Sequence, residues 1–526
     1  MPPEPPTSFL LPPETDGPAV APLLGEYLDV HAGRPATFDR TALDTADRRL
    51  ARAGLALDGR HRSGRWELTL HHPEGGIDEC SVPAPADRLP ADALPDGPVR
   101  ACLAPVIAMR ALLPLAHLRS RLLPLYVLDG EAKTVVRLVA EHPLLVRRGE
   151  PARPLRARLR VDAVRGYDGA YARVCRRLAG DAGLEPAGQS LLDEAVVAAG
   201  GKPGGLSGKL DVALDPRWRA DRATAVLLRR LWTQVDEQLP GTLADLDTEF
   251  LHDLRVAVRR SRSLLKELRS ALPAQCRSHW AVELKWVQEV TGPTRDVDVT
   301  LLEWDDLRAS VAPALATGLE PVHRLLAGRR DDDRKAMVRH LRSARFKKLA
   351  AAWPAYLDEL AASRVPGDEA PGPDAGRPIV DAAAARISTV YGSIKRRGRA
   401  VTDASPAEDL HDLRKRGKEL RYLLEHFGGL YPAEVVRPMV SALKGLQNVL
   451  GCFQDRQVQG EYFHALATDL AGDKDSTATL LAMGALVERL FEQQAEARAD
   501  FARRFASFTA PAVRSGVASA FGAGAG

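Results

Sequence analysis

A histidine followed by cations at intervals of three and four residues is the part of this sequence best equipped to do chemistry. His252, Arg255, Arg259, Arg262 and Lys266 stand in that spacing. On a helix of 3.6 residues per turn they share one narrow stripe, while Leu251, Leu254, Val258, Leu265 and Leu268 take the opposite face. Solvated helices usually interleave opposite charges three or four residues apart, because such pairs attract and like pairs repel. A single sign kept over about four turns is relieved when an anion lies between the cations. Guanidinium groups offer phosphate a paired set of donors and ammonium groups a point charge. The chemistry on offer is noncovalent: a grip on closely spaced negative charge.

The segment is written twice. His411, Arg414, Lys418 and Arg421 repeat the stripe 159 residues further on, with Lys415 beside it. The register then persists, since Leu284, Lys285, Gln288, Gly292 and Asp296 return as Leu443, Lys444, Gln447, Gly451 and Asp455, and Arg345-Phe346 as Arg504-Phe505. A shift that stays constant over about a hundred positions identifies two tandem copies of one unit. The recurring cations Lys285, Lys444, Arg345 and Arg504 therefore join the candidates. One position departs from the pattern: Lys266 becomes Glu425, an acid that closes the second stripe or pairs within it. His252 and His411 are each followed by aspartate, as an oriented imidazole requires, but no Cys, His or carboxylate set stands beside them at metal-ligand spacing. No metal and no cofactor is expected; phosphate contact or packing at the helix start is the reading for both histidines.

Such stripes need long helices, and the sequence supplies them in its second half only. After Gly200–Gly208, a flexible glycine-rich linker, Ala, Leu, Arg and Glu recur at helical spacing and strand signals vanish. Each copy has room for about four helices, which predicts paired four-helix bundles. Before the linker, Arg65–His71, Thr134–Val139 and Arg156–Val161 alternate as strands, with helices expected at Arg110–Leu123 and Ala170–Leu178. The expected fold is multidomain: an N-terminal α+β antiparallel-sheet domain over 1–199, a linker at 200–210, and an all-α domain over 211–510. Its copies fall at about 211–364 and 377–510, separated by a Pro/Gly-rich stretch, and residues 511–526 read as a disordered tail.

The chain has 526 residues, enough for several cores. Its 73 basic and 69 acidic residues nearly cancel, so a polyanion site must come from clustering rather than net charge. Five scattered cysteines with no CxxC spacing argue against a disulfide framework or zinc site and for a reducing cytoplasm. No uncharged apolar run approaches the ~18 residues of a membrane span, and the N-terminus lacks a signal-peptide pattern.

The H-x-x-R-x-x-x-[RK] element and the later Leu-Lys-x-x-Gln-x-x-x-Gly-x-x-x-Asp element, present in both copies, resemble the CHAD family, the conserved histidine α-helical domains. The resemblance covers about Asp211 to Phe508. It implies two pseudo-symmetric four-helix bundles around a basic groove or pore, inorganic polyphosphate as ligand, and association with polyphosphate granules. The implied binding residues are His252, Arg255, Arg259, Arg262, His411, Arg414, Lys418 and Arg421.

The N-terminal half resembles the CYTH or triphosphate-tunnel fold over Phe38 to Leu57 and at Trp66–Leu70. That family's opening strand carries alternating glutamates and a lysine, where this chain reads from Ser8 to Glu14, and its later glutamate-rich strand reads Arg156-Ala-Arg158-Leu-Arg160. Arginines in place of carboxylates remove the oxygen ligands that Mg²⁺ or Mn²⁺ needs, and phosphoryl chemistry loses its electrophile. The expected function is noncatalytic polyphosphate binding in the cytoplasm. A metal-dependent triphosphatase or polyphosphatase is the enzymatic alternative. Nucleic-acid binding is the other, disfavoured because the stripes lack interleaved aromatics apart from Tyr422. No membrane partner is expected, and homodimerisation is left open.

Overall fold

The computed structural model describes residues 8–13, 15, 17–72, 76–83, 87–202, 204–362, 370–470 and 476–522. The chain forms two compact units, Met1–Ser207 and Gly208–Gly526, divided within the glycine-rich stretch. Of the Pro/Gly-rich stretch between the copies, 363–369 lie outside the described residues, as does Glu14.

The first unit is an antiparallel sheet of β1 (Ser8–Leu10), β2 (Val30–Ala32), β3 (Ala36–Asp44), β4 (Ala56–Arg62), β5 (Arg65–His71), β6 (Ile77–Pro83), β7 (Leu113–Leu128), β8 (Thr134–Leu145), β9 (Arg153–Pro154) and β10 (Arg158–Ala163). Their order is β1-β10-β8-β7-β3-β4-β5-β6, with β2 on β7 and β9 on β8. Accessory helices are α1 (Val20–Gly25), α2 (Arg49–Arg52), α3 (Pro98–Ile107), α4 (Asp168–Ala179) and α5 (Leu191–Ala198). The helix expected at Arg110–Leu123 is instead the start of β7. Ala116, Leu118 and Ser120 are buried and alternate with exposed His117, Arg119 and Arg121, a period of two that a sheet satisfies and a helix does not. Pairing with β3 and β8 on either side then takes up the backbone hydrogen bonds.

Among the described residues, the named elements of the second unit are all helices. Its first copy holds α6 (Ala220–Ala244), α7 (Thr248–Glu267), α8 (Ala281–Val290), α9 (Gly292–Leu302), α10 (Trp304–Ala309), α11 (Pro313–Ala316), α12 (Glu320–Leu341) and α13 (Ala344–Ala361). The second copy holds α14 (Ile379–Ala400), α15 (Ala407–Phe427), α16 (Ala433–Leu470), α17 (Thr477–Phe508) and α18 (Pro511–Phe521). A shift of 159 lays α6 on α14 and α7 on α15. The copies differ in where their rods break. Gly292-Pro293 divides α8 from α9 because proline has no N–H to continue the ladder; Gly451-Cys452 lets α16 run on. Ser343 caps the start of α13, whereas α17 passes through the corresponding point. The expected disordered tail is likewise corrected. Pro511 opens α18, whose Val513, Val517 and Phe521 recur at helical spacing and are buried in the core. Residues 523–526 lie outside the described set. No described helix is long and apolar enough to cross a membrane.

The two copies share one hydrophobic core, which contains the five apolar residues opposite the first stripe. They also meet through α7 and α15 with a reciprocity that follows from the repeat. Arg260 donates to Glu425 Oε2 (2.9 Å), and Lys266 pairs with Glu419. Arg260 and Glu419 are equivalent positions, as are Lys266 and Glu425. Position A of one copy meets position B of the other in both directions, the relation of a two-fold interface. The first copy is basic at both places and the second acidic at both.

A third bridge is more buried. Arg386 Nε donates to Glu267 Oε2 at 2.5 Å, and the Glu267 side chain is wholly enclosed. Arg386→Met leaves that carboxylate buried without its cation and should cost about 3 kcal/mol. The double variant Glu267→Met/Arg386→Met should recover most of the loss, read from urea unfolding followed by helical circular dichroism.

Candidate anion-binding cleft

Asp247 fixes the start of α7 by accepting hydrogen bonds from the amides of Glu249 (3.0 Å) and Phe250 (3.3 Å). From there the helical repeat sets the stripe. In the first copy the guanidinium groups are turned onto the protein's own oxygens. Arg255 Nη1 donates to the Gln288 carbonyl (2.7 Å) and to Thr291 Oγ1 (2.8 Å), and Arg262 Nη1 donates to Gln288 Oε1 (2.8 Å). Gln288 Nε2 in turn donates to the Arg255 carbonyl (3.3 Å). Burial lowers the pKa of both Arg255 and Arg262 below the usual arginine value, with Asp296 pulling Arg255 back. Lys285 is held by Glu289 at 3.2 Å.

The second copy carries a cleft at the corresponding place. Between α15 and α16 lies a cleft of about 620 Å³, lined by Arg414, Lys418, Arg421 and Lys444, with Gln447, Asn448 and Glu425 beside them and Leu443 and Val440 at its apolar wall. Its size lies within the ~300–1,000 Å³ typical of ligand sites. Arg414 reaches outward to Asp455 Oδ1 at 2.8 Å, and Arg421 Nε stands 3.2 Å from Glu425 Oε1 as an ion pair without hydrogen-bond alignment. Arg414 Nε, Arg421 Nε and Gln447 Nε2 are buried donors that no described group accepts. An unmade bond of that kind is costly for a buried group, and an anion supplies the missing acceptors.

The stripes converge electrostatically at Lys418. Burial first, and then the charges of Arg414, Arg259 and Arg421, lower its pKa from 10.5 to about 8 despite Asp455. Arg259, its counterpart in the first copy, has a buried Nε with no acceptor among the described residues. Neither Arg259, Lys418 nor Lys444 has a carboxylate within salt-bridge distance among the described residues.

The remaining candidates are engaged elsewhere. Lys266 is neutralised by Glu419, Lys415 by Asp412 (3.2 Å), Arg345 by Glu283 (2.9 Å) and Arg504 by Asp500 (3.1 Å). His411 Nδ1 shares a 2.6 Å hydrogen bond with Gln454 Oε1, and His252 lies at the corresponding place on α7. The sequence reading missed Arg260, Thr291 and Gln447. Aligning the copies residue by residue would have marked Thr291, which becomes Leu450, and Glu289, which becomes Asn448. In the first unit Arg158 is buried on Glu194, Arg160 faces Asp162 (2.9 Å) and Arg156 lies 4.0 Å from Glu185. Among the described residues no group of three or more His, Cys, Asp or Glu is placed to hold a metal ion.

Residues 226–464 match the family model of the CHAD domain, so such a domain lies within the helical unit. The uncharacterized proteins Rv2226 and MT2285 of Mycobacterium tuberculosis, strains H37Rv and CDC 1551, are each 30% identical over 321 residues, covering 60% of this chain and 58% of theirs. The chain thus aligns with little more than half the length of these relatives. Among solved structures, the CHAD domain of the plant Ricinus communis is similar at 26% identity and a TM-score of 0.46, covering 59% of this chain and 94% of that one. PptA from Streptomyces chartreusis is similar at 18% identity and a TM-score of 0.41, covering 55% and 99%.

Lys418 makes the cleft sensitive to pH. The unfolded chain keeps this ammonium protonated to about pH 10.5 and the fold only to about 8, so the unfolded state binds more protons between those values. Stability of the ligand-free protein should therefore rise as pH increases from about 8 towards 10.5, with the full penalty present below 8. The Lys418→Met variant should lack this rise, as measured by thermal unfolding across the window.

Proposed function

We propose that this protein binds inorganic polyphosphate without turning it over. The observation that carries the reading is that Lys418 and Lys444, neither paired with a carboxylate among the described residues, line a cleft whose buried donors lack acceptors, with the likewise unpaired Arg259 adding its charge to Lys418. A surface built for ion pairing would have neutralised these groups as it neutralised Lys266 and Arg345. A linear polymer of phosphate presents charge at regular intervals, which suits cations recurring every turn of α15. The match of residues 226–464 to the CHAD domain supports the same ligand class.

The nucleic-acid alternative is weakened by the fate of Tyr422. It is buried at 3% exposure, with the Arg421 guanidinium 5.2 Å from its ring centroid, so it offers no face for a base. We take the N-terminal sheet as a CYTH-type fold that has lost hydrolysis. Its described β1 carries Ser8, Phe9 and Leu10 and no carboxylate, and the arginines of the later strand are matched by the unit's own acids. Long chains offer many sites, and the resulting avidity would draw the protein to polyphosphate granules in the cytoplasm.

Calorimetric titration of the full chain with long-chain polyphosphate should give tight binding that weakens steeply with salt, as phosphate-contacting proteins lose ~10³–10⁵-fold between ~50 and ~200 mM. Arg259→Gln/Lys418→Met should remove most of it. Addition of Mg²⁺ or Mn²⁺ should release no phosphate; metal-dependent release would instead establish the enzymatic reading.

A further inference from the structure

The two basic stripes share one sequence pattern, yet their chemistry has diverged. We propose that they are unequal in function: the second copy's cleft is the primary seat of the phosphate chain, and the first copy's arginines serve chiefly as internal struts. This rests on the polyphosphate reading and adds to it a division of labour.

The copies differ at four paired positions. Thr291, which accepts from Arg255, is replaced by Leu450, so Arg414 has no hydroxyl to dock on and turns to Asp455 at the outer edge. Glu289, which neutralises Lys285, is replaced by Asn448, and Lys444 keeps its charge unpaired among the described residues. Gln288 is saturated on both amide atoms by Arg255 and Arg262, whereas Gln447 Nε2 is buried without an acceptor. Lys266 becomes Glu425, the one acid at the cleft, and that carboxylate is shared between Arg421 and Arg260.

Three of these changes remove an internal partner from a cation or donor in the second copy, and together they leave an open space there. The first copy's contacts do the opposite. Both Nη1 donors of Arg255 are already committed to hydrogen bonds that join α7 to the end of α8, and its burial disfavours the charge. A phosphate entering the second cleft breaks no bond of Lys418 or Lys444 and satisfies donors that are otherwise unmet. Arg259 then extends the track toward the first copy as a secondary contact, since its charge already acts on Lys418.

The test is calorimetric titration of long-chain polyphosphate into the full chain and two matched variants, each losing two charges at equivalent positions. Arg421→Gln/Lys444→Gln should lose about tenfold or more in affinity, and Arg262→Gln/Lys285→Gln less than about twofold. Because Arg262 carries a structural hydrogen bond, the single variants Lys444→Gln and Lys285→Gln provide a second comparison; both lysines are exposed, and only the first should weaken binding. Equal losses in the two copies would overturn the inequality while leaving polyphosphate binding intact. Absence of binding by the wild-type chain would overturn both.

Discussion

The crowding of like charge where α7 and α15 approach is the constraint around which the helical unit is built. Burial, and then the charges of Arg414, Arg259 and Arg421, depress the Lys418 ammonium, which is the clearest sign of it. Such an arrangement is unfavourable in isolation. It persists because the opposite faces of the same helices, from Leu251 to Leu268 and from Leu410 to Leu424, are locked into a core common to both copies. Apolar burial holds the cations in place, and the unmet electrostatic demand remains available to a ligand.

A duplicated unit brings a second problem, which the acids at the interface resolve. Two identical basic helices related by a two-fold axis would repel wherever a basic position of one meets a basic position of the other. Here Arg260 and Lys266 of the first copy face Glu425 and Glu419 of the second, so a single pair of positions has taken opposite signs in the two halves. Divergence after duplication thus converts a self-repelling contact into a complementary one. It also favours pairing of unlike copies over pairing of like ones, as unpaired like charges across an interface discriminate against the wrong partner. Position 267 follows the same logic by another route. Glu267 is matched by Arg386, while its counterpart His426 is buried and held neutral, its pKa lowered to about 3 by burial and by Arg260.

Much of this was legible in the sequence because period and register are local properties. The 159-residue shift located α6 against α14 and α7 against α15, and the three-and-four spacing put His252, Arg255, Arg259 and Arg262 on one face. Strands β5 and β10 were visible in their alternation. What failed depended on partners distant in sequence. Leu113–Leu123 is rich in leucine, and only its neighbours β3 and β8 make its period of two decisive over helix propensity. The final helix was hidden because alanine and glycine suggest disorder unless Val513, Val517 and Phe521 have a core to enter. Lys266, Arg345 and Arg504 looked like ligands for phosphate because nothing in the linear pattern reveals that Glu419, Glu283 and Asp500 reach them first.

A cation's presence in a repeated motif does not establish its role. Arg255 and Arg414 occupy equivalent positions, yet Arg255 docks on the hydroxyl of Thr291, whereas Arg414, with Leu450 at the corresponding position, lines a cleft. A motif conserved between copies specifies a charge and its direction; the residues around it decide whether that charge is consumed internally. With Leu450 in place of Thr291 and Asn448 in place of Glu289, the second copy has a cleft at Arg414 and Lys444, although both keep the residue types of Arg255 and Lys285. In the first copy Gln288 and Thr291 hold Arg255 and Arg262 against the end of α8, so there the same charges are spent on packing the two helices together.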